Sequence, residues 1–458
     1  MNRPEEITIV GAGLVGSLLA LMLGNMGYRV VVLEKRADMR NREVDAGRSI
    51  NLALAERGIH ALRKAGLMSE VEKLLIPMKG RMLHDVSGEL DFVPYGQREA
   101  EVIYSVSRSG LNALMMTAAE TSCQVDLRFE QELASVDFEN RQLELVDMNS
   151  GDKQVAEYEI MIGADGAGSR VRRALLPAVG GNDCSELLDH DYKELTIPAS
   201  SNGEHLIEKE ALHIWPRGGY MLIALPNLDG SFTVTLFLQK EGSPSFAELQ
   251  DKKAVDKFFR TQFPDAFDLI PNLVEEYVEN PTGILGTVRC TPWLLGESVI
   301  LLGDSSHAIV PFHGQGMNAG FEDCALFVDL LEKHGHDWPA AMKEFDLNRK
   351  DDADAIADMA LENYVTMRDS VRDSKFRLKK ELAFELEKRF PSQFVPRYSM
   401  VMFHRIPYSQ AYSRGQIQEQ ILERLTDGKE LLEQVDLDFA AELINAELAE
   451  VDFSQAEV

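Results

Sequence analysis

The N-terminal residues alternate between apolar runs and a glycine-rich break. Residues 7–10 form a short apolar run, residues 11–16 contain three glycines, residues 17–26 carry apolar side chains at helical spacing, and residues 29–33 form a second apolar run. Short apolar runs are typical of buried strands, and a longer periodic segment is typical of a helix. The pattern therefore predicts a strand–helix–strand unit at the start of the chain.

Two later apolar runs end in an aspartate beside a glycine. Residues 158–164 lead to Asp165, and residues 298–302 lead to Asp304. Buried parallel strands present residues to ligands at their carboxyl ends. Together with the N-terminal strands, these runs predict one ligand site built from three distant segments.

The middle and the end of the chain follow other patterns. Turn sequences rich in glycine, proline, asparagine and aspartate join three strand-like runs, which favours an antiparallel sheet over residues 211–215, 220–225 and 231–238. From residue 338 onward the apolar spacing is helical and is broken at Pro391, Pro396 and Pro407. We expect an α/β fold with a Rossmann-like domain, an inserted antiparallel β-sheet domain and a C-terminal helical region.

Composition narrows the classes of function. The 458 residues are 45% hydrophobic and 27% charged, which is typical of a globular protein with two or three domains. A net charge of -28 disfavours a nucleic-acid partner, and the four cysteines, far apart and without a C-x-x-C pair, disfavour a metal site or a disulfide framework. The sequence shows neither a signal-peptide pattern nor the ~20 uninterrupted apolar residues of a membrane span, so we expect a cytoplasmic protein without a membrane anchor.

The glycines of residues 11–16 match a dinucleotide-binding turn. Gly11 would make the tight turn, Gly13 would let a pyrophosphate approach backbone N–H groups at the helix N-terminus, and Gly16 would pack the helix on the strand. Glu34 ends the next strand and could accept hydrogen bonds from ribose hydroxyls. The structural alternative is a plain strand–turn–helix corner.

The later aspartates suggest which dinucleotide is bound. The carboxylate of Asp304 could bind the ribityl hydroxyls of a flavin, and Asp165 reaches the same region after another strand. Residues 314–318 open a helix, and Gly316 at its N-terminus would place N–H groups and the positive end of the helix dipole against a reduced isoalloxazine ring. For each aspartate alone, the alternative is a helix N-cap.

Together these motifs resemble those of the class A flavoprotein aromatic hydroxylases, and more closely the bacterial members that act on L-kynurenine. The likeness extends from residue 7 to about residue 420, whereas the acidic C-terminal stretch lacks the membrane-anchoring segment of eukaryotic members. It is carried by residues 47–54, 80–82, 95–96, 211–216, 311–318, 360–364 and 396–400. The FAD contacts that the resemblance implies are Val15, Glu34, Ala53, Arg108, Leu133, Asp304, Met317 and Asn318. For Arg108 the alternative is a surface helix cap.

We expect three kinds of segment along the chain. The FAD-binding domain would comprise residues 1–75, 101–180 and 291–370, the substrate domain residues 76–100 and 181–290, and the C-terminal helical region residues 371–458.

The substrate site follows mainly from the resemblance. Asn363 lies on an apolar helical stripe, where a satisfied core amide is the alternative, and the resemblance assigns it to the substrate's amino-acid end. By the same resemblance Arg81 would pair with the substrate carboxylate, and Tyr95 and Tyr398 would donate hydrogen bonds to it. Read singly, Arg81 is a solvated loop charge and each tyrosine an edge of the core.

The aromatic half of the substrate would need an apolar wall. The candidates on the predicted strands are Leu212, Ile223, Leu225 and Phe237, with ordinary sheet core as the alternative. The resemblance places Pro311, Phe312 and His313 at the reacting edge of the flavin. His313 is the candidate catalytic residue, although a structural histidine is equally consistent with the sequence and no dedicated base is expected.

The implied reaction is a monooxygenation. NADPH would bind transiently and reduce a tightly bound FAD, dioxygen would form a C4a-hydroperoxyflavin, and one oxygen would pass to L-kynurenine, ortho to its aniline nitrogen, giving 3-hydroxy-L-kynurenine in tryptophan catabolism. The alternatives are a sister hydroxylase of another small aromatic acid, a flavin reductase of long isoprenoid chains and a noncatalytic regulatory flavoprotein. A reductase of isoprenoid chains would require a long apolar tunnel, and the polar side chains of Arg81 and Asn363 argue against such a tunnel.

Overall fold

The computed structural model describes residues 4–41, 51–122, 124–370 and 374–453. Residues 47–50 of the family-like stretch, Cys123 and the ends of the predicted C-terminal region at 371–373 and 454–458 lie outside the described residues. The chain divides into two compact units. The first unit comprises Met1–Leu75, Ser105–Leu188 and Ile284–Ala357, and the second comprises Ile76–Tyr104, Asp189–Gly283 and Asp358–Val458.

A six-stranded sheet forms the centre of the first unit. The predicted N-terminal strands lie side by side, because Ile7 pairs in parallel with both Val30 and Ile160. This arrangement confirms the predicted parallel α/β core. The strands in sheet order are Leu294–Leu295, Val299–Leu301, Ile160–Gly163, Glu6–Val10, Arg29–Leu33 and Val125–Arg128.

Helices and smaller strands complete the first unit. The α-helices are Leu14–Asn25, Glu56–Lys64, Met68–Val71, Arg108–Thr121, Arg170–Val179, Asp304–His307 and Gly316–Lys333. The remaining strands are Asn51–Leu54, Ile103–Ser107, Gln131–Asp137, Gln142–Asp147, Lys153–Glu157, Asn182–Asp183 and Cys290–Thr291. A long helix, Trp338–Val365, begins in this unit.

A seven-stranded sheet forms the centre of the second unit. The three predicted central strands pair antiparallel, but Ala211–Pro216 also runs parallel to Gly80–His84, so the sheet is mixed at this point. Its strands in order are Thr282–Thr287, Glu186–Ile197, Phe232–Gln239, Met221–Pro226, Ala211–Pro216, Gly80–His84 and Leu90–Pro94. A further short strand is Ile76–Met78.

The two faces of this sheet have different surroundings. One face carries Trp215, Leu222 and Val234, which form a buried apolar core with Phe259. That core includes side chains of the helices Lys252–Gln262, Pro264–Leu269 and Leu273–Glu279. The opposite face carries Arg81, which is paired with Leu212 in the neighbouring strand.

The C-terminal part of the second unit is helical, as predicted. The helix Ser374–Arg389 ends before Pro391, and Arg397–Met402 and Tyr408–Thr426 each begin after a proline. A last helix, Leu437–Glu447, shares a separate apolar core with Ser374–Arg389 and Tyr408–Thr426. A π-helical turn, Thr366–Ser370, follows Trp338–Val365. None of the described helices combines the length and the apolar run required to cross a lipid bilayer.

Candidate active site

The glycine turn of the first unit is closed on one side and open on the other. Gly11 has φ +105°, and a Cβ there would lie 2.5 Å from the Ala164 carbonyl oxygen. A Cβ on Gly16 would lie 1.9 Å from the Gly11 oxygen, whereas a Cβ on Gly13 would meet no atom within 4 Å. Close packing therefore requires glycine at positions 11 and 16, and the space beside Gly13 can admit a ligand.

Two side chains hold this turn in place. Glu34 accepts a hydrogen bond from Ala12 N (3.0 Å) at one carboxylate oxygen and from Arg36 N (2.9 Å) at the other. Asn112 Nδ2 donates to the Ala12 oxygen (3.2 Å) from the helix Arg108–Thr121. Each Glu34 oxygen keeps acceptor capacity for a ribose hydroxyl. Asn112 was missed in the sequence because an isolated amide in a helix carries no motif.

Asp304 presents an open carboxylate. It follows Gly303 (φ +61°) at the end of the strand Val299–Leu301, and no described group donates a hydrogen bond to its side chain. Burial raises the pKa of Asp304, while the charges of His307 and Arg108 lower it. A half-buried acceptor without a donor fits a hydroxyl-bearing chain.

Asp165 has a different environment. One of its oxygens accepts from Ser169 Oγ (2.5 Å) and Ser305 Oγ (3.2 Å), and the other accepts from Arg170 N (2.7 Å). The carboxylate thus caps the helix Arg170–Val179, which is the structural alternative considered for it. In this structure Asp165 is engaged by the protein's own donors, whereas Asp304 is not.

Asn318 joins two segments predicted to contact FAD. Its Nδ2 donates to the oxygens of Ala53 and Gly314, each at 2.8 Å, and its Oδ1 accepts from Ala55 N (2.9 Å). Gly314 has φ +67°, and a Cβ there would lie 3.1 Å from the Ala53 Cβ. The side chain of Asn318 is therefore used to fix these loops, which leaves its backbone N–H for a ligand.

The helix Gly316–Lys333 offers N–H groups at its start. Ala319 N bonds back to the Gln315 oxygen (2.8 Å), so the N–H groups of Gly316, Met317 and Asn318 precede the first helical hydrogen bond. Such a terminus favours a polar or anionic ligand edge.

The remaining predicted cofactor residues lie in the same unit. A Cβ on Gly303 would lie 2.9 Å from the Val15 side chain, so Val15 packs directly on the turn before Asp304. Leu133 is buried, and its oxygen accepts from Arg170 Nη1 (2.7 Å). Arg108 is exposed at the start of its helix.

A network of buried charges supports the Gly303 turn; we call it the Asp323 network. Asp323 accepts from His307 Nε2 (2.6 Å), Arg349 Nε (2.8 Å) and Gly303 N (2.9 Å). Although burial opposes it, His307 and Arg349 hold the pKa of Asp323 at about 2. Glu322 extends the network through ion pairs with Arg349 (2.7 Å) and Arg57 (2.5 Å). The sequence analysis missed this network, although two adjacent acids within the apolar stretch of residues 317–328 were a signal that could have revealed it.

In the second unit the structure brings Arg81, Tyr95 and Tyr398 together; we call this the Arg81 cluster. The Arg81 guanidinium carbon lies 5.5 Å from the Tyr95 ring centroid and 5.2 Å from that of Tyr398, and the two rings stack at 5.5 Å. Among the described residues no carboxylate forms an ion pair with Arg81, and its Nε and the buried Tyr95 hydroxyl lack a well-formed hydrogen bond. Burial raises the pKa of both tyrosines, so both stay protonated donors.

The predicted apolar wall shares a sheet face with Arg81. Leu212 is the registered partner of Arg81, and Ile214, two residues further on, is the partner of Ile223. By strict alternation Leu225 and Phe237 lie on this face too, opposite the helix-covered core. Leu225 and Phe237 are buried, whereas Leu212 and Ile223 are only half-buried.

The other predicted substrate residues are placed as follows. Asn363 is half-buried on Trp338–Val365, and its Nδ2 lies 3.4 Å from Met367 Sδ. Pro311, Phe312 and His313 form one 3-10 turn of the first unit, in which Phe312 and His313 are buried.

A buried histidine pair, which sequence reasoning missed, lies on the core face of the second unit. His213 Nε2 lies 2.7 Å from the Glu208 oxygen, His84 Nε2 lies 2.8 Å from His213 Nδ1, and His84 Nδ1 lies 2.8 Å from Asp265 Oδ2. Because the Glu208 carbonyl can only accept, His213 donates from Nε2 and, when neutral, accepts at Nδ1. Burial lowers the pKa of His213 to about 4. The chain of bonds thus links the Glu208 carbonyl, His213, His84 and the Asp265 carboxylate in one continuous series.

These features define what each unit can bind. Among its described residues the first unit combines an open glycine turn, a carboxylate without a donor and N–H groups that precede the first helical hydrogen bond, which fits the phosphates, the ribityl hydroxyls and the ring edge of FAD. The second unit combines a cation for which the described part of the chain supplies no counterion, two phenol donors and an apolar sheet face, which fits a small aromatic acid.

Comparisons with known proteins show the family of the chain. A family model described as an FAD binding domain matches residues 5–358. The kynurenine 3-monooxygenase of Myxococcus xanthus (strain DK1622) is 48% identical over 97% of this chain and 96% of its own length. That of Xanthomonas campestris pv. campestris (strain 8004) is 45% identical over 94% of each chain.

Solved structures share the fold. The tetrameric form of 2-methyl-3-hydroxypyridine-5-carboxylic acid oxygenase matches 81% of this chain and 94% of its own with a TM-score of 0.66 at 18% identity. The p-nitrophenol 4-monooxygenase PnpA from Pseudomonas putida DLL-E4 matches 97% of this chain and 99% of its own with a TM-score of 0.65 at 19% identity. These matches confirm the predicted fold class.

Proposed function

This chain belongs to the kynurenine 3-monooxygenase family of FAD-binding proteins, and we propose that it hydroxylates L-kynurenine to 3-hydroxy-L-kynurenine with NADPH and dioxygen. The observation that carries the choice of substrate class is the Arg81 cluster. A half-buried arginine that lies beside two phenols, and has no carboxylate partner among the described residues, fits an anionic ligand. Partial burial of such a cation is costly unless a ligand supplies the missing charge.

The first unit would hold FAD through groups already in position. The space at Gly13 would admit the pyrophosphate, Glu34 would bind the ribose, and Asp304 would accept from the ribityl hydroxyls. The N–H groups of Met317 and Asn318 would face the flavin ring. When bound, FAD supplies the redox chemistry that turns dioxygen into an electrophilic oxygen donor.

The second unit would orient the substrate. Arg81 would bind its carboxylate in a bidentate manner, while Tyr95 and Tyr398 would donate to the same group. Water would be excluded from the aromatic ring by the apolar side chains on the same sheet face, which are Leu212, Ile223, Leu225 and Phe237. The Asn363 amide would help hold the amino-acid end of the substrate. Since an aniline ring is already electron-rich, the chain would need no strong base for electrophilic attack on that ring.

One experiment tests this function. The purified holoenzyme is mixed with NADPH and each of L-kynurenine, anthranilate, 4-hydroxybenzoate and kynurenamine, which is L-kynurenine without its carboxylate. We expect rapid NADPH oxidation and a hydroxylated product with L-kynurenine alone. Efficient hydroxylation of another acid would identify a sister hydroxylase, and equal turnover of kynurenamine would remove the Arg81 cluster from the substrate site. The cytoplasmic location stays a prediction, which cell fractionation would test.

A further inference from the structure

A second cation lies near the Arg81 cluster within the second unit. Lys380, on the helix Ser374–Arg389, donates from Nζ to the oxygen of Pro94 (2.9 Å), the residue before Tyr95. The same helix is anchored to the loop after Tyr95, because Gln97 Nε2 donates to Glu387 Oε2 (2.7 Å). The position of the Lys380 ammonium is therefore fixed by its own hydrogen bond and by the helix that carries it.

Lys380 has no counterion among the described residues. The nearby carboxylate of Asp91 is bound by Arg377 (2.8 Å), and the neighbouring Lys379 has its own partners in Glu419 and Glu423, each at 2.5 Å. Burial and the charge of Arg81 lower the pKa of Lys380 to about 7, while Asp91 opposes the shift. The titratable and charged groups around this site are Arg81, Asp91, Tyr95 and Tyr398 from packed elements and Arg377 and Lys379 from its own helix.

We infer that Lys380 determines specificity as a second cation for the acid end of the substrate, and that it takes up a proton when an anionic ligand binds beside Arg81. This inference rests on the proposed function, since it concerns the same carboxylate. The reason is electrostatic: two neighbouring cations repel each other until an anion arrives, and the anion then favours the charged form of both.

The sign of the proton linkage follows from the free protein. Well below pH 7 Lys380 already carries its proton, so binding takes up none. Above pH 7 the free amine is mostly neutral, and binding of the carboxylate raises its proton affinity, so the ligand and a proton bind together. The Kd for L-kynurenine is therefore expected to be flat below pH 7 and to rise by about fivefold to tenfold between pH 7 and 8.5.

Calorimetric titration of the holoenzyme with L-kynurenine, without NADPH, measures this uptake. At pH 7.5, in buffers of different ionisation enthalpy, the dependence of the observed enthalpy on the buffer gives the number of protons. We expect a net uptake of a fraction of a proton for the native chain, because a group that titrates near pH 7 is partly neutral at pH 7.5. Zero uptake, or release of protons, would overturn the inference.

Three variants assign the proton. Lys380→Met is expected to abolish the uptake, raise the Kd about fivefold to tenfold at pH 6.5 and make it independent of pH. Lys380→Arg keeps the charge without titrating near neutrality, so binding stays tight while the uptake is lost. Lys379→Met is the matched control on the next residue of the helix and leaves the uptake unchanged.

The outcomes separate this inference from the proposed function. If L-kynurenine is not hydroxylated at all, the proposed function fails. If it is hydroxylated but Lys380→Met binds it with native affinity and native proton uptake, the inference about Lys380 alone fails. The absorbance of bound FAD shows that each variant is folded before it is titrated.

Discussion

The Asp323 network and the Arg81 cluster both hold charges that are fully or partly withdrawn from water, but they differ in how those charges are paired. In the first unit Asp323 and Glu322 each form an ion pair with Arg349, Arg57 forms a second ion pair with Glu322, and His307 forms a hydrogen bond with Asp323. In the second unit Arg81 meets two aromatic rings and no carboxylate of the described chain. A set of charges that is complete within the protein serves the fold, whereas one that lacks its counterion serves a ligand.

This difference makes opposite predictions for stability and for binding. Removing one member of a complete buried network leaves the others uncompensated, so the fold weakens. Removing a cation that already lacks a partner should leave the free energy of unfolding unchanged or increase it, and should lower only the affinity for the ligand.

The largest effect is expected for Asp323→Ala. The change removes the shared acceptor of His307, Arg349 and Gly303 N, and should lower the free energy of unfolding by about 3–5 kcal/mol, measured by urea denaturation of the holoenzyme. Asp329→Ala, on the exposed side of the same helix, is the control and should change it by less than about 1 kcal/mol. Equal decreases in the free energy of unfolding for the two variants would show that the buried network stabilises the fold no more than an exposed ion pair does.

Arg81→Ala should have the opposite profile. We expect KM for L-kynurenine to rise by an amount equivalent to about 2–5 kcal/mol, because the bound carboxylate would lose its buried partner. The free energy of unfolding should stay the same or increase. Arg81→Lys keeps the charge but loses the bidentate fork, so its KM should lie between those of the native chain and Arg81→Ala. An unchanged KM in Arg81→Ala would remove this residue from the substrate site.

Local patterns in the sequence predicted the parts of the fold that local physics determines. The glycine turn follows from steric demands within a few residues, and the helix breaks follow from the missing N–H and the fixed ring of Pro391, Pro396 and Pro407. The three predicted strands of the inserted sheet do pair antiparallel. The sequence did not indicate the additional parallel pairing of Gly80–His84 with Ala211–Pro216, because it joins strands more than a hundred residues apart.

The site was less predictable because its contacts are long-range. The sequence could not distinguish Asp165, engaged as a helix cap, from Asp304, left open, since both follow an apolar strand and stand beside a glycine. Lys380 and the His84–His213 pair lie on elements far apart in sequence and show no motif. In such cases the role of a polar side chain depends on which donors and acceptors the fold brings to it.

The histidine pair tests whether a complete network in the second unit also serves the fold. The pKa of His213 is about 4 in the folded protein, against about 6.5 in the unfolded chain. The unfolded chain therefore binds more protons below pH 6.5, and stability should be complete above that pH and fall by about 3 kcal/mol as the pH drops towards 4. Urea denaturation at several pH values measures this loss. His213→Gln, which can still donate to the Glu208 oxygen, should remove much of the dependence, and an unaltered pH profile would contradict the assignment.

The smallest effect is expected for removal of the Tyr95 hydroxyl, which should change KM for the substrate without lowering the free energy of unfolding. The Tyr95 hydroxyl is buried without a well-formed hydrogen bond in the described structure, so Tyr95→Phe should leave the free energy of unfolding unchanged or raise it by up to about 1 kcal/mol. If the hydroxyl donates to the substrate carboxylate, KM for L-kynurenine should increase by about threefold to tenfold.

Tyr158 in the first unit offers a matched control, because its hydroxyl is also buried and also lacks a described partner. Tyr158→Phe should reproduce the change in stability without the change in KM. A rise in KM for both variants would trace the effect to a general loosening of the fold, and a rise for Tyr95→Phe alone would show that this unpaired hydroxyl is reserved for the ligand.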